Sequence, residues 1–188
     1  MGWLKYPQDA SIIKSIAVFK KQFQELAQLN KALELHGAYQ NHSGKLMGAS
    51  IWDLKQVLEN ISPAHCGCQY DIRHAQVEST NAWELGLRLI KDHIKTLVIK
   101  DFKWGNINGK PEIINTPLGQ GMVDFDTYFP LLLKYNLDAP VTLHMEYDLG
   151  GAEHGHKKVT LNKKELFKHM KRDLNFLHSK WQQAHEKL

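Results

Sequence analysis

The chain has 188 residues, is 43% hydrophobic and 23% charged, and carries a formal net charge of +4. That length suits a single domain, residues 1–188, with a sizeable core, and the ordinary composition excludes wholesale disorder. The mild charge without an aromatic-lined basic groove argues against nucleic acid, and the absence of a long apolar run argues against a membrane span.

From Asp9 to Leu33, Ile12, Ile16, Phe19, Phe23, Leu26 and Leu29 recur at helical spacing, with Asp9 or Ser11 able to cap the start. A strand near 34–40 follows and runs into Gln40-Asn41-His42. Ser50 to Asn60 reads as a short helix, stopped by Ser62-Pro63. The second strand, near 66–71, holds both cysteines. Cys66 and Cys68 are two apart, so they point to one face and read as small buried hydrophobes in a reducing, cytoplasmic setting. Its polar end is Asp71-Ile72-Arg73-His74.

Thr80 to His93 is the next predicted helix, turning Trp83, Leu87 and Ile90 inward, and a third strand near 96–101 ends in Lys100-Asp101. Residues 102–122 read as a long polar loop containing Asn106, Asn108, Gly109, Pro111 and Pro117, of the kind that often carries function. Phe125 to Tyr135 reads as helix, and a fourth strand near 141–147 ends in Glu146-Tyr147-Asp148. Asn162 caps a long terminal helix to about Ala184, whose Lys163, Lys164, Lys168, Lys171, Arg172 and Lys180 read as a solvated face.

Strands separated by helices give an α/β chain with a parallel sheet, and right-handed crossovers bring every strand's carboxyl end to one rim. Strand parity puts polar residues on shared faces: His36, Gln40 and His42; Gln69 with Asp71; Val98 with Lys100; Thr142, His144 and Glu146. A polar inner face on parallel strands fits the mouth of a barrel better than an open sheet covered on both sides. Parallel (βα) units forming a half or partial TIM barrel are therefore expected. Open edges then predict either a separate N-terminal half or self-association.

Five segments taken together carry a resemblance. They are Tyr39-Gln40-Asn41-His42-Ser43-Gly44, Gln69-Tyr70-Asp71-Ile72-Arg73-His74-Ala75, Ile99-Lys100-Asp101, Pro117 through Phe125, and Leu143-His144-Met145-Glu146-Tyr147. In order and spacing they resemble the sugar phosphate isomerase/epimerase group of xylose-isomerase-like TIM barrels, over the last four strand–helix units of that barrel. The resemblance implies a sugar or sugar phosphate substrate and proton transfer next to a carbonyl, assisted by a divalent metal. It implies Asp71 and Glu146 as metal ligands, with Gln40 at a third ligand position, and Glu146 and His74 as catalytic groups. The residues themselves add Lys100 as a catalytic group and His42, Arg73, Trp104 and His144 as substrate contacts.

This chain departs from the pattern at two ligand positions, where Gln40 replaces a Glu and Val98 replaces a His. An oxygen-rich, ligand-poor set favours Mn²⁺ or Mg²⁺ over Zn²⁺. Gln40 offers a carbonyl oxygen but takes no proton. Lys100, sharing the face of Val98, supplies an ammonium that can stabilise developing negative charge. The alternative is a degenerate, non-catalytic sugar-binding barrel.

Overall fold

Asp71 is the hinge of local structure in the first half of the chain: it ends a strand and starts a helix in consecutive residues. The computed structural model describes residues 2–187 and resolves into two compact units. The first runs to Val98 and takes back Ala139–Thr142; the second holds Ile99–Asp138 and the chain from Leu143 onward.

In the first unit, α1 (Ile12–Ala32) leads to β1 (Gly37–Gln40), α2 (Ile51–Leu58), β2 (Cys66–Asp71), α3 (Ile72–Ser79), α4 (Trp83–Ile90) and β3 (Ile94–Ile99). The sheet is parallel, with strand order β1-β2-β3-β6, where β6 is Val141–Leu143. Its register sets Gln40 opposite Gln69 and Asp71 opposite Val98. Parallel α/β architecture is thus what the alternation of elements implied.

Helices α2 and α4 cover the sheet with Ile51, Leu54, Val57 and Leu58 from one and Trp83, Leu87 and Ile90 from the other, all buried. Each such side chain contributes about 1.5–3 kcal/mol on leaving water. Gly86 lets the two helices close up, because a Cβ there would already sit 3.4 Å from that of Ile51. The cysteines are free and buried, as their spacing implied, and burial pushes the Cys66 thiol up to about 11.

Three expectations need correction. The apolar stripe of α1 is narrower than its spacing suggested: Phe19 and Phe23 are buried, whereas Ile12 and Leu29 are more than half exposed. The residues after β2, read only as its polar end, form α3, which Asp71 nucleates by accepting a hydrogen bond from the His74 N–H, 3.1 Å away.

The third correction concerns 102–122. In the second unit this stretch is largely a hairpin, β4 (Asp101–Ile107) against β5 (Lys110–Thr116), with Trp104 opposite Ile113. Asn108 and Gly109 form its two-residue turn at φ 52° and 80°. A turn with both central residues at positive φ matches the twist of the flanking strands, and Asn-Gly is the pair that adopts it at least cost. Helix α5 (Phe125–Lys134) and α6 (Lys163–Glu186) complete this unit, capped by Asp124 and Asn162.

The segment between β5 and α5 is held by one side chain. The Asp101 carboxylate is 1% exposed and accepts from four backbone N–H groups, those of Phe102, Gly119, Gly121 and Val123, at 2.8–3.0 Å. Gly121 has no room for a side chain, since a Cβ would lie 2.2 Å from Asp101 Oδ1.

Candidate functional site

In the first unit the ends of β1 and β2 bring together Gln40, Asn41, His42, Asp71, Arg73 and His74. Asn41, fully buried, clamps the end of β2: its side chain accepts from Asp71 N–H at 2.7 Å and donates to Asp71 O at 3.0 Å. This presents the Asp71 carboxylate to Gln40, whose Nε2 donates to Oδ2 at 2.9 Å. His74 Nε2 lies 3.6 Å from the same oxygen.

The other ring nitrogen of His74 fixes its tautomer. Nδ1 accepts from the Ser43 N–H at 3.1 Å and stands 3.0 Å from Arg73 Nη1 and 2.8 Å from Ser43 Oγ. A guanidinium only donates, so Nδ1 is unprotonated and the ring proton sits on Nε2, toward Asp71. His74 and Arg73 are both buried and meet through Arg73 Nη1 and His74 Nδ1. His74 thus lies against Asp71 through both its ring and its backbone N–H.

His42 lies against His74 with ring centres 3.9 Å apart, and the Trp3 ring centre is 4.5 Å from that of His42. Trp3 is placed by an anchor made of Leu4 N–H donating to Tyr39 Oη, Tyr39 donating to Met47 O, and Tyr6 donating to Asp53 at 2.5 Å. Ser43 and Trp3 had no marker in the sequence that assigned them here. Beside this anchor, residues including Trp3, Asn30, Gln40 and Gln69 line a cavity of about 390 Å³.

In the second unit Lys100 and Glu146 meet. The Lys100 ammonium, on a residue 3% exposed, donates to both Glu146 oxygens at 3.0 and 3.1 Å. His144 Nδ1 lies 3.3 Å from Oε1. Glu146 is held from two sides: Asn115 donates to its carbonyl at 3.2 Å, and the next residue, Tyr147, donates to the buried Asp173 at 2.8 Å. Trp104, expected as a substrate contact, is 47% exposed on β4 and stands edge-on to Phe102 at 6.1 Å. The Gly119-Gln120-Gly121 turn offers no phosphate cradle, because the N–H groups of Gly119 and Gly121 are taken by Asp101.

The His144 hydrogen bond, joined by the Lys100 charge and opposed by burial, pulls the Glu146 carboxyl down to about 2 from 4.5. A group whose folded value is depressed stabilises the fold above its unfolded value and loses that contribution as pH falls toward the folded one. The protein is therefore expected to lose stability between about pH 4.5 and 2 partly through Glu146. The effect is softened because the side chain is 39% exposed to solvent. Urea midpoints followed across that range should fall less steeply in Glu146→Gln; parallel curves would remove Glu146 from the acid limb.

These residues do not fit a divalent metal ion. Asp71 spends its oxygens on the Gln40 amide and the His74 N–H, and both Glu146 oxygens face an ammonium. Val98, where the resemblance implies a ligand, is fully buried core. Among the described residues no group of three or more His, Cys, Asp or Glu side chains could hold a metal ion. No described helix is long and apolar enough to cross a membrane.

The family described as xylose isomerase-like TIM barrel matches residues 3–172. No curated protein sequence matches the chain. Among solved structures, a D-tagatose 3-epimerase-like protein aligns at TM-score 0.71 and 14% identity, over 99% of this chain and 61% of its own. The D-allulose 3-epimerase from Methylomonas sp., solved in complex with D-allulose, aligns at 0.67 and 16%, over 95% and 59%. The xylose isomerase domain protein from Planctomyces limnophilus aligns at 0.65 and 17%, over 96% and 58%. The chain thus spans less than two thirds of the length of each of these three structures.

Proposed function

The chain belongs to the xylose isomerase-like TIM-barrel family, and from that premise we propose that it is a sugar isomerase- or epimerase-like domain, acting on a sugar or sugar phosphate by moving a proton next to a carbonyl. One observation carries this reading: a half-exposed carboxylate, Glu146, held on both oxygens by a nearly buried ammonium, Lys100. At neutral pH Glu146 is ionised and in the proton-accepting form. Its low value makes it a weak base while Lys100 remains on it. A substrate carbonyl that draws the ammonium away raises the carboxylate's proton affinity when a base is needed. His144 stays within reach of the same oxygen and can hand a proton on.

In the first unit, by itself, the cavity beside Trp3 has the size of a small-ligand site and offers an indole face with the amides of Asn30, Gln40 and Gln69. An apolar ring face with amide donors and acceptors suits a polyol. The sugar bound by the D-allulose 3-epimerase neighbour supports the same substrate class. The test is deuterium wash-in: aldoses, ketoses and their phosphates are incubated with the protein in D₂O and followed by proton NMR. Loss of the signal from the carbon next to the carbonyl is expected for at least one sugar. No wash-in across pentoses, hexoses and their phosphates would sink the reading.

The partner reading is self-association. Strands β1 and β6 lie at the outer positions of the sheet order, so each presents an unpaired edge within the described sheet. Such edges pair with another chain unless covered. Sedimentation of the 188-residue chain at micromolar concentration is expected to show dimers or larger species. A stable monomer would rule this out.

A further inference from the structure

We infer that Lys100 takes the part a divalent cation would play at this site, so that proton transfer at Glu146 proceeds without a metal ion. The inference rests on the proposed isomerase or epimerase reading and deepens it. Lys100 is 3% exposed, and its ammonium bridges both oxygens of Glu146 at 3.0 and 3.1 Å. A cation binding Glu146 would have to expel that ammonium or sit beside it, and a buried like charge repels it. The remaining neighbour, His144, approaches Oε1 through Nδ1, so the carboxylate's accepting face is taken from a second side. A hard dication needs several oxygen ligands, and no third His, Cys, Asp or Glu joins a described pair to supply them.

The ammonium can do what the cation would. An aldose or ketose carbonyl oxygen accepts a hydrogen bond from Lys100 Nζ. Glu146 takes the proton from the adjacent carbon. The C–H electron pair becomes the C=C bond of an enediolate, and the carbonyl π pair moves to the oxygen facing the ammonium. Returning the proton to the carbon it left restores the original carbonyl. Delivering it to the former carbonyl carbon, with the neighbouring hydroxyl proton passing to the first oxygen, moves the carbonyl by one carbon. No oxidant, reductant or second substrate is consumed. Lys100 offers fixed positive charge where negative charge develops, which is the usual source of stabilisation in such steps.

Two measurements decide the matter. In calorimetry with MnCl₂ and MgCl₂, the wild-type chain is expected to show no saturable one-to-one uptake up to millimolar metal. Micromolar uptake by the wild type that disappears in Glu146→Gln would overturn the inference. In the deuterium assay, dialysis against EDTA is expected to leave wash-in unchanged, while Lys100→Gln lowers it about 100-fold. Wash-in abolished by EDTA and restored by Mn²⁺, or a fully active Lys100→Gln, would overturn it as well. A chain that binds no metal and turns over no sugar would defeat the functional reading through the wash-in arm. The titration arm reads the metal question independently of activity.

Discussion

Glu146→Gln is expected to lower deuterium wash-in by about 10²–10⁴-fold, the range a positioned general base contributes. The substituted amide has nearly the same shape and can still accept from Lys100 and Asn115 can still donate to the unchanged backbone carbonyl, so the local fold should survive. What disappears is a group able to take a proton. The amide also withdraws the negative charge that holds Lys100, which frees the ammonium for a substrate carbonyl. Apparent affinity for the sugar should then stay the same or improve while turnover falls. That split between binding and turnover distinguishes a base from a residue that merely shapes the pocket. Wash-in at the wild-type rate, with an unchanged circular dichroism spectrum, would take Glu146 out of the chemistry.

The largest structural effect is expected at Asp101, where Asp101→Asn should destabilise the fold by about 2–4 kcal/mol. Oδ1 accepts from the N–H groups of Phe102 and Val123, and Oδ2 from those of Gly119 and Gly121. Whichever way the substituted amide is turned, its NH₂ faces two N–H donors. An Asp101→Ala chain leaves all four unsatisfied and should be worse. For a chain of this size each kcal/mol moves the melting midpoint by roughly 2–4 °C, so a drop of about 4–16 °C is expected for Asp101→Asn. Differential scanning calorimetry reads it directly. A midpoint within a degree of wild type would show that water reaches these N–H groups and that the carboxylate is dispensable.

The sequence made some of this legible for clear physical reasons. The two inner strands announce themselves because parallel strands buried on both faces read as short apolar runs, and Cys66 through Cys68 and Leu97 through Ile99 are such runs. The shared rim also brought the carboxyl ends of the first two strands together, and the structure joins Gln40 to Asp71 at 2.9 Å. The sequence alone offered Lys100 either Glu146 or Asp71 as a partner, and the structure pairs it with Glu146, 46 residues away. Helix α3 escaped because Ile72 through Ser79 has few apolar residues at helical spacing; the Asp71 cap three residues before His74 N–H was the available cue. The hairpin was signalled by Asn108-Gly109, a stronger indicator than the prolines that made the stretch look irregular. Trp3 could not be found from pattern, since its position depends on Tyr39, Met47 and Asp53 contacts remote in sequence.

Lys100 and Asp101 are neighbours in the chain with opposite charges and opposite surroundings. The lysine meets a carboxylate, Glu146, and the aspartate meets four N–H dipoles. A one-residue slip of the chain in one direction would set the Asp101 carboxylate against Glu146, and a slip in the other would set the Lys100 ammonium among four N–H donors. Apolar patterning alone guards poorly against such a slip here, because Leu97, Val98 and Ile99 are all buried and nearly interchangeable in character. The dipeptide therefore acts as a register key: its charge order admits one alignment and penalises the adjacent ones.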